Sequence, residues 1–302
     1  MANVSITHIK DLAVTSTSDI APNKPLTLVL GGTGKTGRRV AGRLGARGVP
    51  VRIGSRTASP AFDWDDRSGW AAALDGVGAV YIAYAPDLAA PGAVDAIRAL
   101  VSMALASGTR RFVLLSGRGE AEAQACEQVV QASGADWTIL RCSWFAQNFS
   151  ESYMLDAVRG GHLALPAGAM GEPFVDAEDI ADAAVAALTE DGHSGQLYEL
   201  TGPRLLTFAE AVGEIAKASG RDIRYQEIPA SAFEVELAAA GLPPDLTALL
   251  MYLFTEVLDG RNAHVADGVR RALGRDPRDF SAYAHATAAT GVWSAPTEET
   301  AP

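Results

Sequence analysis

Three regularly spaced glycines follow a short apolar run near the start of the chain. The run Leu26–Leu30 leads into Gly31, Gly34 and Gly37, and residues 38–41 continue with helical periodicity. Glycines let the backbone approach an anion without an intervening Cβ, and a helix N-terminus presents free N–H groups to it. Strand, glycine turn and helix therefore predict a cradle for the diphosphate of a dinucleotide. The residues expected to line it are Gly31, Thr33, Gly34, Lys35, Thr36 and Gly37.

A second interpretation of the same loop can be rejected. The segment Gly34-Lys35-Thr36 resembles the end of a P-loop, the motif that cradles nucleoside triphosphates. That motif requires a glycine five residues before Gly34, and Val29 stands at that position inside the predicted strand. We therefore expect a dinucleotide rather than a nucleoside triphosphate.

The end of the second predicted strand indicates which dinucleotide binds. An acidic residue at this point accepts a hydrogen bond from the ribose 2′-hydroxyl of NAD, whereas a basic residue favours the 2′-phosphate of NADP. Here the strand ends Ile53-Gly54-Ser55-Arg56, without an acid. The Arg56 guanidinium can bind a phosphate through paired hydrogen bonds, and Ser55 can donate one more. The sequence thus favours NADP (NADPH); the alternative is that Arg56 is an ordinary surface arginine.

Aromatic residues in the loop after this strand allow two interpretations. Phe62 and Trp64 could cover the adenine of the dinucleotide, or they could form a local packing cluster. The sequence does not choose between the two.

Short apolar strands alternate with helices through the first half of the chain. Strands are expected at 26–30, 49–55, 79–85, 111–116 and 137–141, and helices at 36–47, 70–74, 93–107 and 120–133. This alternation implies a parallel sheet with right-handed crossovers and helices on both faces. We therefore predict an α/β fold, a doubly wound parallel-sheet Rossmann fold.

The pattern is less regular after residue 150 and predicts a smaller, mostly helical C-terminal substrate lobe. Helices are expected at 180–188 with Asp179 as the N-cap, at 207–219, and in two stretches within 231–259. Strands or extended segments are expected at 162–165, 196–201 and 223–228. The predicted domains are a flexible arm 1–24, an NADP-binding Rossmann domain 25–155, a substrate lobe 156–293 whose residues 174–201 return to the Rossmann domain, and a disordered tail 294–302.

Composition narrows the classes of partner. The 302 residues are 48% hydrophobic and carry a formal net charge of −11, which argues against a nucleic-acid partner. Neither a signal-peptide core nor an apolar run long enough for a membrane span is present, so we expect a cytoplasmic protein, monomer or homodimer, with a small-molecule substrate. Cys126 and Cys142 lie in apolar segments and are expected to be buried and reduced. The five histidines show no metal-ligand spacing, so no metal site is expected.

Five blocks of sequence resemble the NmrA-like group of atypical short-chain dehydrogenases/reductases. They are the glycine loop 31–37, residues 74–80, 112–116 and 138–141, and the segment 175–181. Within that group the chain is most similar to the branch of agroclavine and festuclavine dehydrogenases and their bacterial relatives, through residues 55–56, 84–87, 115–120 and 144–149. The resemblance implies an NAD(P)H-dependent oxidoreductase, and the ergot branch implies reduction of an iminium ion.

The catalytic Tyr-x-x-x-Lys pair of ordinary short-chain dehydrogenases is missing. None of the seven tyrosines has a lysine four residues later, because the only lysines are Lys10, Lys24, Lys35 and Lys217. That pair protonates the oxygen of a carbonyl substrate. Hydride addition to an iminium ion gives a neutral amine directly, so the step needs no general acid. The missing pair therefore favours an imine or iminium acceptor.

Other candidate residues follow the carboxyl ends of predicted strands, where open α/β sheets bind their ligands. The candidate catalytic residues are Ser116, Glu120 and Tyr153, the last as a substitute acid. The candidate substrate-binding residues are Asp87, Arg118 and Asn148, and further cofactor contacts are expected from Tyr84, Ala85, Pro86, Trp144 and Phe145. Arg118 and Glu120 could instead form a surface ion pair with each other.

Two other functions remain open at this point. A quinone, an enone or an activated azo compound is a second possible class of acceptor. The namesake of the NmrA-like group binds a dinucleotide and regulates a partner protein, so a sensor without catalysis is also compatible with the missing relay.

Overall fold

The computed structural model describes residues 24–295. Apart from Lys24, Ser294 and Ala295, the predicted arm and tail lie outside the described residues. The strands are β1 Leu26–Leu30, β2 Val51–Gly54, β3 Val77–Ile82, β4 Arg111–Gly117, β5 Asp136–Cys142, β6 His162–Leu165, β7 Gln196–Leu200 and β8 Arg224–Glu227. The helices are α1 Gly37–Ala46, α2 Trp70–Leu74, α3 Ala93–Ala106, α4 Ala121–Gln131, α5 Met154–Arg159, α6 Ala177–Thr189, α7 Phe208–Ser219, α8 Ala230–Ala239, α9 Pro244–Tyr252, α10 Gly268–Leu273 and α11 Phe280–Ala288.

Six of the strands form one parallel sheet in the order β2-β1-β3-β4-β5-β7. The strand order reverses beside β1, so the crevice between the carboxyl ends of β1 and β3 is the place where such sheets bind ligands. Strand residues alternate between two cores: Leu28 and Leu30 pack with helices α2, α3 and α4, while Val29 packs with α1 and α6. The doubly wound Rossmann fold predicted from the sequence is confirmed.

A smaller unit packs beside the carboxyl edge of this sheet. It contains the two-stranded parallel sheet β6-β8 and helices α5, α7, α8, α9 and α11 around a separate aromatic core. Phe149, Phe174 and Phe208 are at the centre of that core, with ring centroids 5.1–5.9 Å apart. Strand β7 belongs to the large sheet, so the chain leaves the large sheet after β5 and returns to it.

The N-terminus of helix α6 differs from the prediction. Asp176, not Asp179, is the N-cap, and its carboxylate accepts a hydrogen bond from Glu178 N at 2.9 Å. Asp179 is fully buried and accepts hydrogen bonds from the backbone N–H and the guanidinium of Arg278. The predicted cap was wrong because either aspartate could cap the helix by sequence alone. Only the contact of Asp179 with Arg278, which is distant in sequence, shows that Asp179 has another role.

Helices α10 and α11 were not predicted from the sequence. Helix α7 begins as expected, with the reciprocal capping box of Thr207 and Glu210.

Cys126 and Cys142 are both buried and unpaired. Between Lys24 and Ala295, none of the helices combines the length and the apolar character that crossing a membrane requires.

Candidate active site

Each glycine of the loop after β1 has a distinct steric role. Gly31 adopts a φ of +64°, which L side chains rarely take, and its carbonyl accepts a hydrogen bond from Gly34 N at 2.8 Å. A Cβ at Gly37 would overlap the carbonyl oxygen of Gly31, so helix α1 can pack against the loop only with glycine there. Gly34 is exposed and leaves the outer side of the turn open. The loop thus has the form of an anion cradle at a helix N-terminus.

Two polar side chains complete this cradle. Thr36 is buried, and its Oγ1 accepts a hydrogen bond of 2.9 Å from the Tyr81 hydroxyl, so its own proton remains available to a ligand. Lys35 lines the adjoining cleft, and burial lowers the pKa of its ammonium group, an effect that the neighbouring Glu151 opposes. A bound phosphate would supply the negative charge that this partly buried lysine needs.

The end of β2 lies beside the loop because Gly31 N donates to Gly54 O at 3.1 Å. Arg56 is exposed there and forms no ion pair with any residue between positions 24 and 295. Ser55 Oγ lies 3.4 Å from Thr57 Oγ1. Both side chains are therefore available at the point where the sequence predicts the ribose 2′-substituent.

The aromatic residues after β2 form a packing cluster. Phe62 is buried and stacks on Trp70 with centroids 5.2 Å apart, and the Trp64 ring packs edge-on against both. Trp64 also contacts Tyr84, at 4.7 Å between centroids. Phe62 is thus a core residue, and Tyr84 joins this cluster to the cleft.

A cleft of about 530 Å³ opens at the carboxyl ends of β3, β4 and β5. Most of the predicted site residues line it: Gly31, Gly34, Lys35, Thr36, Tyr84, Ala85, Pro86, Asp87, Ser116, Arg118, Glu120, Trp144, Phe145, Asn148 and Tyr153. The remaining four lie outside it, namely Thr33, Gly37, Ser55 and Arg56. Residues from three strand ends and from the smaller unit thus converge on one cavity.

Asp87 and Glu120 form a pair of carboxyl groups in this cleft. Burial raises the pKa of Glu120 well above its usual range, and the adjacent charge of Asp87 raises it further. Burial also raises the pKa of Asp87, against a hydrogen bond from Ala89 N that lowers it. The Glu120 carboxyl packs against the Cα of Gly117, where any Cβ would overlap it. Two neighbouring buried carboxyl groups resist being ionised together, so the pair carries at most one negative charge while Glu120 keeps its proton.

Ser116 has a fixed orientation at the end of β4. Its hydroxyl donates a hydrogen bond of 2.6 Å to Glu127 Oε1, and Arg141 Nε donates to the same oxygen at 2.9 Å. Since the hydroxyl proton points to Glu127, the Ser116 oxygen presents lone pairs to the cleft. The side chain can therefore accept a hydrogen bond from a ligand N–H group.

Arg118 does not pair with Glu120, contrary to one of the two interpretations of the sequence. Its side chain is 2% exposed, with Nη2 at 2.7 Å from His264 Nε2 and 3.5 Å from Glu199 Oε2. Asn262 Nδ2 in turn donates to Arg118 O at 3.1 Å. These partners are more than 80 residues away in sequence, so local patterns could not reveal them.

Tyr153 lines the cleft beside the glycine loop. The residue is 36% exposed, and partial desolvation by the surrounding protein raises the pKa of its phenol. A short-chain dehydrogenase lowers the pKa of its tyrosine with a nearby lysine, and the pKa of Tyr153 moves in the opposite direction. Tyr153 is therefore a poor acid at neutral pH.

The wall opposite the strand ends is apolar. Leu246, Leu249, Leu250 and Leu253 follow a spacing of three and four residues, which places them on one helical face, and all four line the cleft. Trp144 continues this wall, with its ring 4.8 Å from that of Phe254. The last leucine lies in a short π-helical turn, Leu253–Val257, that extends α9.

Sequence analysis missed one acidic residue of the cleft. Glu172 lies in the loop between β6 and α6 and is 1% exposed, and its Oε2 has no hydrogen-bond partner. Burial raises its pKa to about 7, although the charge of Arg118 acts in the opposite direction. A lone glutamate in an irregular loop carries no local signal of burial, so spacing could not identify it.

Comparisons with known proteins agree with this geometry. The sequence model of a family described as NAD(P)H-binding matches residues 31–191. The chain is 32% identical to festuclavine dehydrogenase of Aspergillus fumigatus, with 85% of this chain and 96% of that protein covered. It is 30% identical to an NAD(P)H azoreductase of Xenophilus azovorans, over 87% of this chain and 98% of that protein.

A solved structure with bound cofactor has the same fold. The NADPH complex of the quinone oxidoreductase QOR2 from Escherichia coli superposes with a TM-score of 0.69 at 21% identity, covering 86% of this chain and 98% of that one. At this identity the likeness concerns the fold.

Proposed function

Because the chain belongs to the NAD(P)H-binding family, as an NmrA-like atypical short-chain dehydrogenase/reductase, we propose that it reduces an imine or iminium ion with NADPH. The chain is an NAD(P)H-dependent oxidoreductase. The proposal adds the preference for NADPH and the class of acceptor.

The residues around the glycine loop fit a dinucleotide phosphate. Gly31 has a positive φ and a Cβ at Gly37 would overlap the Gly31 carbonyl oxygen, so glycine at these positions keeps the turn as tight as a loop that contacts a diphosphate requires. Arg56, exposed and free of ion pairs among residues 24–295, would hold the 2′-phosphate, with Ser55 as an additional donor. When bound, the reduced nicotinamide supplies the hydride.

The Asp87–Glu120 pair is the observation that supports a cationic acceptor. The shared negative charge lies in a cleft with an apolar wall, where a charge interacts more strongly than in water. The positive charge of an iminium ion bound there would stabilise this negative charge, which burial has separated from water. Hydride addition neutralises the cation without any proton transfer, which suits a site whose tyrosine, Tyr153, is a poor acid.

Ser116 would position the reacting partners through its free lone pairs. Because its proton is held by Glu127, it can accept an N–H group but offers no proton to a developing oxyanion. This orientation is a further reason to prefer a nitrogen-containing acceptor to a ketone.

One observation favours a second class of acceptor. Glu120 holds a proton at neutral pH, because its pKa is raised, and could donate that proton to a quinone, an enone or an azo group. The azoreductase and quinone oxidoreductase named above act on acceptors of this kind. A dinucleotide sensor without catalysis is the third candidate.

A panel of acceptors separates these possibilities. NADPH oxidation is followed with N-methyl-dihydroisoquinolinium, menadione, cyclohexenone and methyl red. Saturable turnover of the permanent iminium ion, with a higher kcat/KM than that of the other three, supports the proposal. Preference for menadione or methyl red overturns it in favour of the second class, and tight NADPH binding with no turnover at all supports the sensor.

A further inference from the structure

The cleft contains a buried acceptor that the proposed reaction does not use. Glu172 lines the cleft, and its buried Oε2 has no hydrogen-bond donor among residues 24–295. A buried carboxylate oxygen without a partner loses its hydration, at a cost that native proteins rarely tolerate. A ligand with an N–H or O–H group could therefore supply the hydrogen-bond donor that this oxygen lacks.

The backbone holds this side chain rigidly at the cleft. Glu172 N donates to Leu206 O at 2.9 Å, and Leu206 N donates to Glu172 O at 3.0 Å. This pair of hydrogen bonds forms an isolated antiparallel bridge, and Leu206 itself is buried. The backbone at Glu172 is thus fixed, and burial of the side chain restricts the carboxyl group before any ligand binds, which lowers the entropy cost of binding.

The surroundings of Glu172 differ from those of the Asp87–Glu120 pair. The charge of Arg118 lowers the pKa of Glu172, whereas the charge of Asp87 raises the pKa of Glu120. Arg118 is already engaged with Glu199 and His264, so it does not satisfy the free oxygen of Glu172. The cleft therefore has two acidic positions in different surroundings.

The apolar wall defines the rest of the ligand. The leucine stripe of α9, Leu246 to Leu253, lines the same cleft as Glu172 and offers only hydrocarbon contacts. Three hydrogen bonds connect the segments around this wall to the loop after β4 and to the start of α4: Tyr252 to Glu122, Arg261 to Gly119 O and Asn262 to Arg118 O. A ligand that matches both surfaces has an apolar ring system and a nitrogen that carries a proton.

From this juxtaposition we infer that Glu172 and the leucine stripe form an amine-recognition subsite, in which Glu172 Oε2 accepts a hydrogen bond from the protonated nitrogen of an apolar ring amine. The inference deepens the proposed function, since such an amine is the product class of iminium reduction. In this arrangement Glu172 selects among ring amines by binding their nitrogen, whereas the charge of the Asp87–Glu120 pair stabilises the cationic acceptor during hydride transfer.

Equilibrium binding tests the subsite without turnover. Isothermal titration of the NADP⁺-saturated protein uses two probes of nearly the same shape, tetrahydroisoquinoline, which is protonated at mildly alkaline pH, and isochroman, its neutral ether analogue. Wild type is expected to bind the amine more tightly than the ether. Glu172→Gln should weaken amine binding by roughly tenfold or more, the usual effect of a hydrogen bond to a charged group, and leave ether binding unchanged.

Two controls make the result specific to the subsite. Glu234→Gln removes the same charge from an exposed position of α8 and should change neither affinity. Thermal unfolding and NADP⁺ affinity of the Glu172→Gln variant verify that the fold and the glycine loop are intact. Equal affinity of wild type for amine and ether, or amine binding that survives in a folded Glu172→Gln variant, overturns the inference.

The outcome is separable from that of the proposed function. If the iminium ion is reduced but Glu172→Gln binds the amine normally, the subsite is wrong and the reaction stands. If the amine binds through Glu172 but no iminium ion is reduced, the subsite stands and the reaction is wrong.

Discussion

The Ser116 hydroxyl donates its proton to Glu127 Oε1 at 2.6 Å, so the end of β4 presents an acceptor, and not an acid, to the cleft. Ser116→Ala removes that acceptor while Arg141 still satisfies Glu127. We expect kcat/KM for protonated dihydroisoquinoline, an iminium ion that carries an N–H group, to fall roughly five- to tenfold, the effect of one lost hydrogen bond, with little change in stability. Steady-state kinetics and thermal unfolding measure both, and an unchanged kcat/KM would remove Ser116 from the site.

The proposed preference for NADPH over NADH depends on Arg56. Arg56→Glu places a negative charge where the 2′-phosphate would bind, so NADPH affinity should fall at least tenfold, as expected for a lost charge-assisted contact. NADH, which lacks this phosphate, should bind as before, as measured by fluorescence titration of both cofactors. Lys217→Glu, the same change at an exposed position of α7, is the control. Equal losses for NADPH and NADH would contradict the assignment.

Two glycines of helix α1 provide a matched test of the cradle. Gly37→Ala forces a Cβ onto the Gly31 carbonyl oxygen, so the loop must open and NADPH binding should be lost. Gly42→Ala adds a methyl group where nothing lies within 4 Å, and it should stabilise the helix by about 0.5–1 kcal/mol. Cofactor titration and thermal unfolding distinguish the two, and unaltered NADPH affinity of Gly37→Ala would contradict the packing described here.

Glu172 should make the stability of the protein depend on pH. Folding raises the pKa of this side chain from 4.5 to about 7. Between these two pH values the folded state keeps a proton that the unfolded state has lost, so the free energy of unfolding decreases as the pH rises from 4.5 to 7. Glu172→Gln removes this penalty. We expect the variant to be more stable than wild type by up to ~3 kcal/mol above neutrality and by almost nothing below pH 4.5.

Chemical denaturation across this pH range measures the difference between the two proteins. A constant difference would mean that Glu172 is not buried as described. A functional group that costs stability in the free protein is expected at a binding site, where the ligand supplies the missing partner.

Local patterns predicted the large sheet and the cofactor loop, because strand alternation, glycine spacing and helix stops depend on near neighbours. The predicted strand at 26–30 is one example, since β1 spans Leu26–Leu30. The capping box at Thr207 is another.

Features that depend on distant partners could not be predicted in this way. Asp179 looked like a helix cap until Arg278, about 100 residues further along the chain, was found beside it. Arg118 and His264 meet from elements far apart in sequence, and Glu172 forms its bridge to Leu206, 34 residues further along the chain. Most polar side chains of the cleft could therefore be predicted from the sequence, whereas their partners required the structure.

The pH dependence of turnover separates the two classes of acceptor. Reduction of a quinone needs a proton, so its kcat should fall as pH rises through the raised pKa of Glu120 and that group loses its proton. Reduction of a permanent iminium ion needs none, so its kcat should show no such alkaline decline. Parallel profiles for N-methyl-dihydroisoquinolinium and menadione would contradict the role given to Glu120.

The most direct test compares wild type with the double variant Asp87→Asn/Glu120→Gln in single turnovers of bound NADPH with N-methyl-dihydroisoquinolinium. The two amides keep the sizes of the side chains but remove the negative charge that either carboxyl group alone could still carry. The account predicts rapid NADPH oxidation by wild type, a rate at least tenfold lower for the variant, and equal NADPH affinity for both. Equal rates for the two proteins, or no oxidation by wild type despite bound NADPH, would contradict it.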